Sequence, residues 1–75
     1  MIEPFDRLTV FERDSWTCYL CGHLTNPDAS PFDPSSPTVD HIHPLSKGGH
    51  HTLANAGTAC LGCNSSKQAS IITAA

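Results

Sequence analysis

Positive charge is scarce in this chain. Four Lys and Arg stand against seven Asp and Glu, giving a formal net charge of -3. The four cations, Arg7, Arg13, Lys47 and Lys67, are scattered along the sequence. A phosphate backbone meets no basic face, so intrinsic affinity for nucleic acid is expected to be weak unless a metal or a partner protein supplies the binding. Long apolar runs are also missing: no segment approaches the roughly 20 residues a membrane-spanning helix needs. The opening Met1-Ile2-Glu3-Pro4-Phe5-Asp6-Arg7 carries acids and no apolar stretch, unlike a secretory signal. A soluble, intracellular protein is expected. Length is short as well, because 75 residues bury only part of their surface and an apolar core alone leaves stability marginal. Some further staple is expected.

The staple is visible in the cysteines. Cys18-Tyr19-Leu20-Cys21 and Cys60-Leu61-Gly62-Cys63 are two pairs with the same inner spacing, and no other internal repeat is present. Two CxxC knuckles can surround one tetrahedral Zn²⁺, with backbone amides donating to sulfur. Redox-active CxxC pairs call for a βαβ pattern that this chain lacks, and a disulfide framework calls for a secretory context. The 38 residues between the pairs exceed the gap of a simple zinc ribbon, so they hold an insertion or a fold with distant knuckles. Four thiolates leave zinc no open position; its role is structural, and catalysis requires a second metal. Zinc with four thiolates shifts the formal charge to about -5.

Around the knuckles the sequence predicts a small α+β domain over residues 1–75. Pro4, Phe5, Leu8, Val10 and Phe11 among charges suggest an amphipathic helix of two to three turns within residues 1–14, ended by Asp14-Ser15. Trp16 to Leu20 suits a short strand into the first knuckle, where Gly22 permits a tight turn. Residues 25–37 carry four of the six prolines and read as a loop, a spacer with Phe32 its one candidate contact residue. Thr38 to Ile42 suits a strand stopped by Pro44. A turn at Lys47-Gly48-Gly49, one helical turn at Thr52 to Ala56 and a return strand at Gly57 to Ala59 follow. A closing helix is expected from Asn64, near its start, to about Ile72, within a final segment of 64–75.

Between the knuckles lies Val39-Asp40-His41-Ile42-His43-Pro44-Leu45-Ser46-Lys47-Gly48-Gly49, then Asn55, then Cys60-Leu61-Gly62-Cys63-Asn64-Ser65-Ser66-Lys67. This pattern, DHIxPLSxGG, Asn, CxxCNxxK, resembles the HNH endonuclease family across residues 40–67. Phe11 to Cys18 is similar to the family's lead-in. The resemblance implies a ββα-metal, treble-clef-like fold with the knuckles at 18–63 enclosing a catalytic hairpin. It implies that His41 is the general base, that Asn55, 14 positions on, ties down the hairpin loop, and that Asn64 fills the last motif place. Asn stands there where the family name has His, and an amide oxygen remains a competent ligand. Small stand-alone members are often phage-encoded beside DNA-packaging genes, so the resemblance also implies DNA as partner and genome processing with a terminase.

The chemistry follows from the residue types too. Asp40 and His41, adjacent on a strand, point to opposite faces unless the strand twists or ends there, so one can contact a metal while the other approaches water. Asp40 and Asn64 offer hard oxygens that suit Mg²⁺ or Mn²⁺. Neutral His41 can take a proton from the attacking water. His43 shares the face of His41 and is a candidate for phosphate or metal contact. Lys47, Lys67 and Arg13 are candidate phosphate contacts, with backbone rather than base recognition. His23, His50 and His51 are expected to be incidental. Two rivals remain: a zinc finger that docks DNA or protein without hydrolysing anything, and a structural zinc domain cut from a larger enzyme. The set of Asp40, His41 and Asn64 argues against the first, and a complete motif within 75 residues argues against the second.

Overall fold

A computed structural model describes residues 2–74 of the chain; side chains are described through Lys67. Helix α1 (Arg7–Arg13) begins at Asp6, whose carboxylate accepts a hydrogen bond from the Leu8 amide as an N-cap. It spans two turns and ends at Asp14, with its start set by the cap at Asp6. Val10 and Phe11 are its buried residues. At its C-terminus Ser15 and Trp16 take left-handed φ values of 52° and 59°. Such residues cost about 1–2 kcal/mol each. They are held by Ser15 N–H donating to Glu12 O and Trp16 N–H to Phe11 O, and by the tilted contact of the Trp16 ring with Phe11.

That reversal explains why Trp16 to Leu20 forms no strand, contrary to expectation. Only one bridge survives, Thr17 with Leu24, while Cys18 to Gly22 closes into the knuckle turn with Gly22 at φ 78°. Strands β1 (Pro37–His41) and β2 (Ala56–Cys60) pair antiparallel, Asp40 opposite Gly57 and His41 opposite Ala56. The connection carries a 3-10 turn at Leu45–Lys47, left-handed Gly48, and a second 3-10 turn at Leu53–Asn55. Helix α2 (Leu61–Ala74) follows β2 directly.

Helices α1 and α2 both pack on the hairpin. Among the described residues the buried core is Val10, Phe11, Cys18, Ala56 and Ala59, with Thr58 fully buried among them. Thr58 is satisfied by three bonds. Its N–H donates to Asp14 Oδ2 (2.9 Å), its hydroxyl to Val10 O (3.3 Å), and its carbonyl accepts from Tyr19 N–H (2.9 Å). Thus β2 binds α1 on one side and the first knuckle on the other.

The loop at 25–37 is more than a spacer. Leu61 N–H donates to Ser36 O and Gly62 N–H to Pro34 O, satisfying amides that a helix start leaves open. Those tertiary caps start α2 three residues ahead of Asn64. Phe32 is 89% exposed.

Candidate functional site

The second knuckle straddles the β2–α2 junction, and the first folds back onto Thr58. The result is one cluster: the Sγ atoms of Cys18, Cys21, Cys60 and Cys63 all lie within 4.8 Å of one another. All four are free thiols. Zinc–sulfur bonds of about 2.3 Å in a tetrahedron place sulfurs about 3.8 Å apart. The cluster therefore fits a metal such as zinc after a contraction of under about 1 Å. Proton affinities agree with that chemistry. Burial pushes the Cys18 thiol up, but hydrogen bonds from the Cys60, Cys21 and Leu20 backbones outweigh it and bring it to about 7. Sharing protons with Cys60 and Cys21 pushes Cys63 up to about 12. Four crowded thiols resist joint ionisation, a conflict that a divalent cation relieves.

A second cluster forms where α2 faces β1. Thr38 and Asp40 occupy the same face of the strand. Asn64 Nδ2 donates to Thr38 Oγ1 (3.0 Å), and Thr38 Oγ1 donates to Ala59 O. Asn64 Oδ1 is buried with no hydrogen-bond partner among the described residues. An unpartnered buried acceptor costs about 1–3 kcal/mol. One turn along α2, Lys67 Nζ lies 2.7 Å from Asp40 Oδ2. The Tyr19 hydroxyl donates to the same carboxylate oxygen. Asp40 is buried, 9% exposed. Burial raises the Tyr19 pKa, with Asp40 adding to it. Burial pulls Lys67 down, yet its bonds to Asp40 and Tyr19 outweigh this and leave it above the ordinary range. Hard oxygens on Asp40 and Asn64, one of them unpartnered, suit Mg²⁺ or Mn²⁺ by donor type. Lys67 stands in the way.

The His41 side chain lies on the other face, as strand alternation dictates. Its Nε2 is 3.0 Å from His51 Nδ1, and Phe5 stacks on His51 at 4.6 Å between centroids. The Glu3 amide donates to His51 O (2.7 Å), fixing the segment. A groove lined by Phe5, Asp6, Arg7, Thr38, Val39 and His51 opens beside it. Asn64 thus meets β1 at Thr38 and Lys67 meets it at Asp40, two residues further along the strand, while His41 turns to His51 at the strand's end.

Asn55 holds the loop between them. Its Oδ1 accepts from His43 N–H (2.8 Å), and its Nδ2 donates to His43 O (3.0 Å) and His50 O (2.8 Å). His43 Nε2 lies 2.9 Å from Lys47 O, so that nitrogen carries the proton. Gly49 completes the loop: a Cβ there would meet His43 O at 2.0 Å and Pro44 O at 2.8 Å, both backbone atoms.

The cations differ from the sequence reading. Arg13 is a clamp on the protein's own backbone: Nη1 donates to Leu53 O (2.9 Å), Nη2 to Ala56 O (2.6 Å), and Nε to Asp14 Oδ1 (2.8 Å). Lys67 is engaged with Asp40, while Lys47 is exposed. Tyr19 is a neighbour the sequence did not single out, and His51, expected to be incidental, is the partner of His41. Gly57, opposite Asp40, is the only hint of Tyr19: its missing Cβ would stand 2.9 Å from the ring.

A family model described as HNH endonuclease matches residues 18–70, well over half of the 75 residues. The chain belongs to the HNH endonuclease family. Its two strands, following helix and four-cysteine cluster are consistent with the ββα-metal fold. Membership points to nuclease-type cleavage with DNA as the substrate class. No curated protein and no solved structure matches the chain. Among the described residues, no helix is long and apolar enough to cross a membrane.

Proposed function

We propose that this chain is a metal-dependent endonuclease that hydrolyses DNA phosphodiester bonds with weak sequence preference. The observation that carries the reading is the placement of consecutive Asp40 and His41 at the end of β1, on opposite faces of the strand. Among the described residues β1 pairs on one side only. A phosphate laid across its free edge is reachable from the carboxylate on one side and from the imidazole on the other. Asp40 and Asn64 would hold the catalytic Mg²⁺ or Mn²⁺; the chemistry such a cation supplies when bound is charge stabilisation at the phosphoryl oxygens and the departing 3′-oxygen.

His41 accepts the proton of the attacking water in this reading. Between two imidazoles one nitrogen donates and the other accepts. With His41 Nε2–H donating to His51 Nδ1, the proton from water goes to His41 Nδ1, and the contact with His51 becomes a charge-assisted hydrogen bond, shorter and stronger than the neutral one. Phe5 keeps His51 in place for that role. Lys47, His43 and Arg7 are the side chains able to meet the phosphate backbone from the loop and the groove. Arg13 is not among them while it clamps Leu53 and Ala56. The zinc cluster fixes the β2–α2 junction and, through Tyr19, the Asp40 carboxylate.

A net charge of -3 leaves little long-range attraction for DNA. Recruitment by a partner protein, a phage packaging terminase being one such partner, is part of the reading. The Asp40–Lys67 ion pair favours a second reading, a zinc module that binds DNA or protein without cutting. Nicking of supercoiled plasmid by zinc-loaded protein with Mg²⁺ or Mn²⁺ separates the two. The nuclease reading predicts nicking that His41→Ala abolishes at unchanged zinc content. Equal nicking by both proteins removes His41 from the mechanism, and no nicking under any divalent ion favours the binding module.

A further inference from the structure

The place beside Asp40 where a divalent cation is wanted already has a positive charge in it. Lys67 Nζ lies 2.7 Å from Asp40 Oδ2, 2.9 Å from His41 O, 3.1 Å from the Tyr19 hydroxyl oxygen and 3.2 Å from Ile42 O. An ammonium has three protons, so four oxygens saturate it. The carboxylate and the two backbone carbonyls are donor types that Mg²⁺ and Mn²⁺ take, and the phenol completes the oxygen shell of the ammonium. The pair is shielded from water: side-chain exposure is 19% for Lys67 and 11% for Asp40. Asn64, one turn earlier on the same helix, bonds Thr38 through Nδ2 and leaves its Oδ1 buried without a hydrogen-bond partner.

We propose that Lys67 is a built-in plug of the catalytic cation site: its ammonium and the divalent metal compete for the Asp40 carboxylate, and the metal enters only when Lys67 withdraws. The proposal rests on Asp40 being a ligand of that cation. Two positive charges cannot share one carboxylate oxygen without mutual repulsion, so the exchange is close to all-or-none. A Lys side chain on a flexible four-carbon stem reaches outward once a better anion is offered. A substrate phosphate, drawing the ammonium off Asp40, opens the seat for the metal. Phosphate and metal then bind with positive coupling, each raising the affinity for the other by the same factor. The device ties a loaded, hydrolysis-competent site to the presence of a phosphodiester.

The size of the effect follows from the closed fraction. If Lys67 covers Asp40 for nine-tenths of the time, apparent metal affinity falls about tenfold. Mn²⁺ is titrated into the zinc-loaded protein without nucleic acid, and free Mn²⁺ is read by electron paramagnetic resonance. Lys67→Met, which keeps the apolar stem and removes the charge, binds Mn²⁺ about tenfold tighter than wild type, and Lys67→Arg stays weak. Lys67→Gln, whose amide still donates to the His41 and Ile42 carbonyls, gives the same gain if Met at 67 disturbs folding. Unchanged or weaker Mn²⁺ affinity in a variant with wild-type zinc content and circular dichroism overturns the plug. A double variant, Asp40→Asn with Lys67→Met, tests the premise separately. Loss of the gain supports Asp40 as the seat; tight Mn²⁺ binding that survives in the double variant puts the cation elsewhere and overturns the underlying reading.

Discussion

Asn55→Asp is the sharpest perturbation of the loop that carries the histidines. In the wild-type chain the amide makes three bonds, one accepted from His43 N–H and two donated to the carbonyls of His43 and His50. Net contributions of about 1 kcal/mol per hydrogen bond, reduced here because water can replace them, put Asn55→Ala at about 1–2 kcal/mol. Aspartate is worse than alanine. It keeps the bond from His43 N–H but turns a carboxylate oxygen toward two carbonyl oxygens that had donors at 3.0 and 2.8 Å, and repulsion is added to the loss. A destabilisation of about 2 kcal/mol lowers the Tm of a domain this size by about 8–16 °C. Thermal unfolding in zinc buffer measures that drop. An Asn55→Asp protein with a Tm within about 2 °C of wild type would refute the clamp.

Two further outcomes follow from the site. Cys60→Ser removes one sulfur from the only cluster of three or more metal-ligating side chains among the described residues, and metal binding and folding are coupled in small zinc proteins; the variant is expected to lose zinc and unfold, and native-like circular dichroism in a zinc-free sample contradicts this. The second concerns acid. The Arg13 hydrogen bond, with help from Thr58 and against burial, holds the Asp14 carboxyl below its ordinary range. A depressed folded-state pKa means that this stabilisation is complete above the unfolded value of about 3.9 and disappears as pH falls through the lower folded value. Wild type therefore loses its advantage over Asp14→Asn on acidification below about pH 4, measured by denaturant midpoints at matched zinc occupancy. A difference between the two that does not change with pH refutes the linkage.

Much of the hairpin was legible in the sequence because its signals are local. Alternation from Thr38, the stop at Pro44, the Gly48-Gly49 turn and the doubled CxxC each reflect chemistry within a few residues. The start of α2 was not legible, since Asn64 is a good N-cap by type but the capping carbonyls come from Pro34 and Ser36, far away in sequence. The same limit hid Tyr19 and His51. Tyr19 reads as a knuckle residue until Gly57 is seen to leave room for its ring beside Asp40. His51 reads as surface until Glu3 and Phe5 fasten it against His41. Arg13 misled for a related reason: in a chain with four cations it looked available to phosphate, yet the fold uses it to close a backbone.

The claim on which the account turns is that Asp40 and Asn64 together form the seat of the catalytic cation. Anomalous diffraction from crystals of the zinc-loaded protein grown with Mn²⁺ and a non-cleavable DNA duplex addresses it directly. The account predicts a manganese peak bounded by the Asp40 carboxylate and the Asn64 amide oxygen, with Lys67 turned away toward phosphate. A manganese peak at the His41–His51 pair, or Lys67 still closed on Asp40 beside bound DNA, would contradict it.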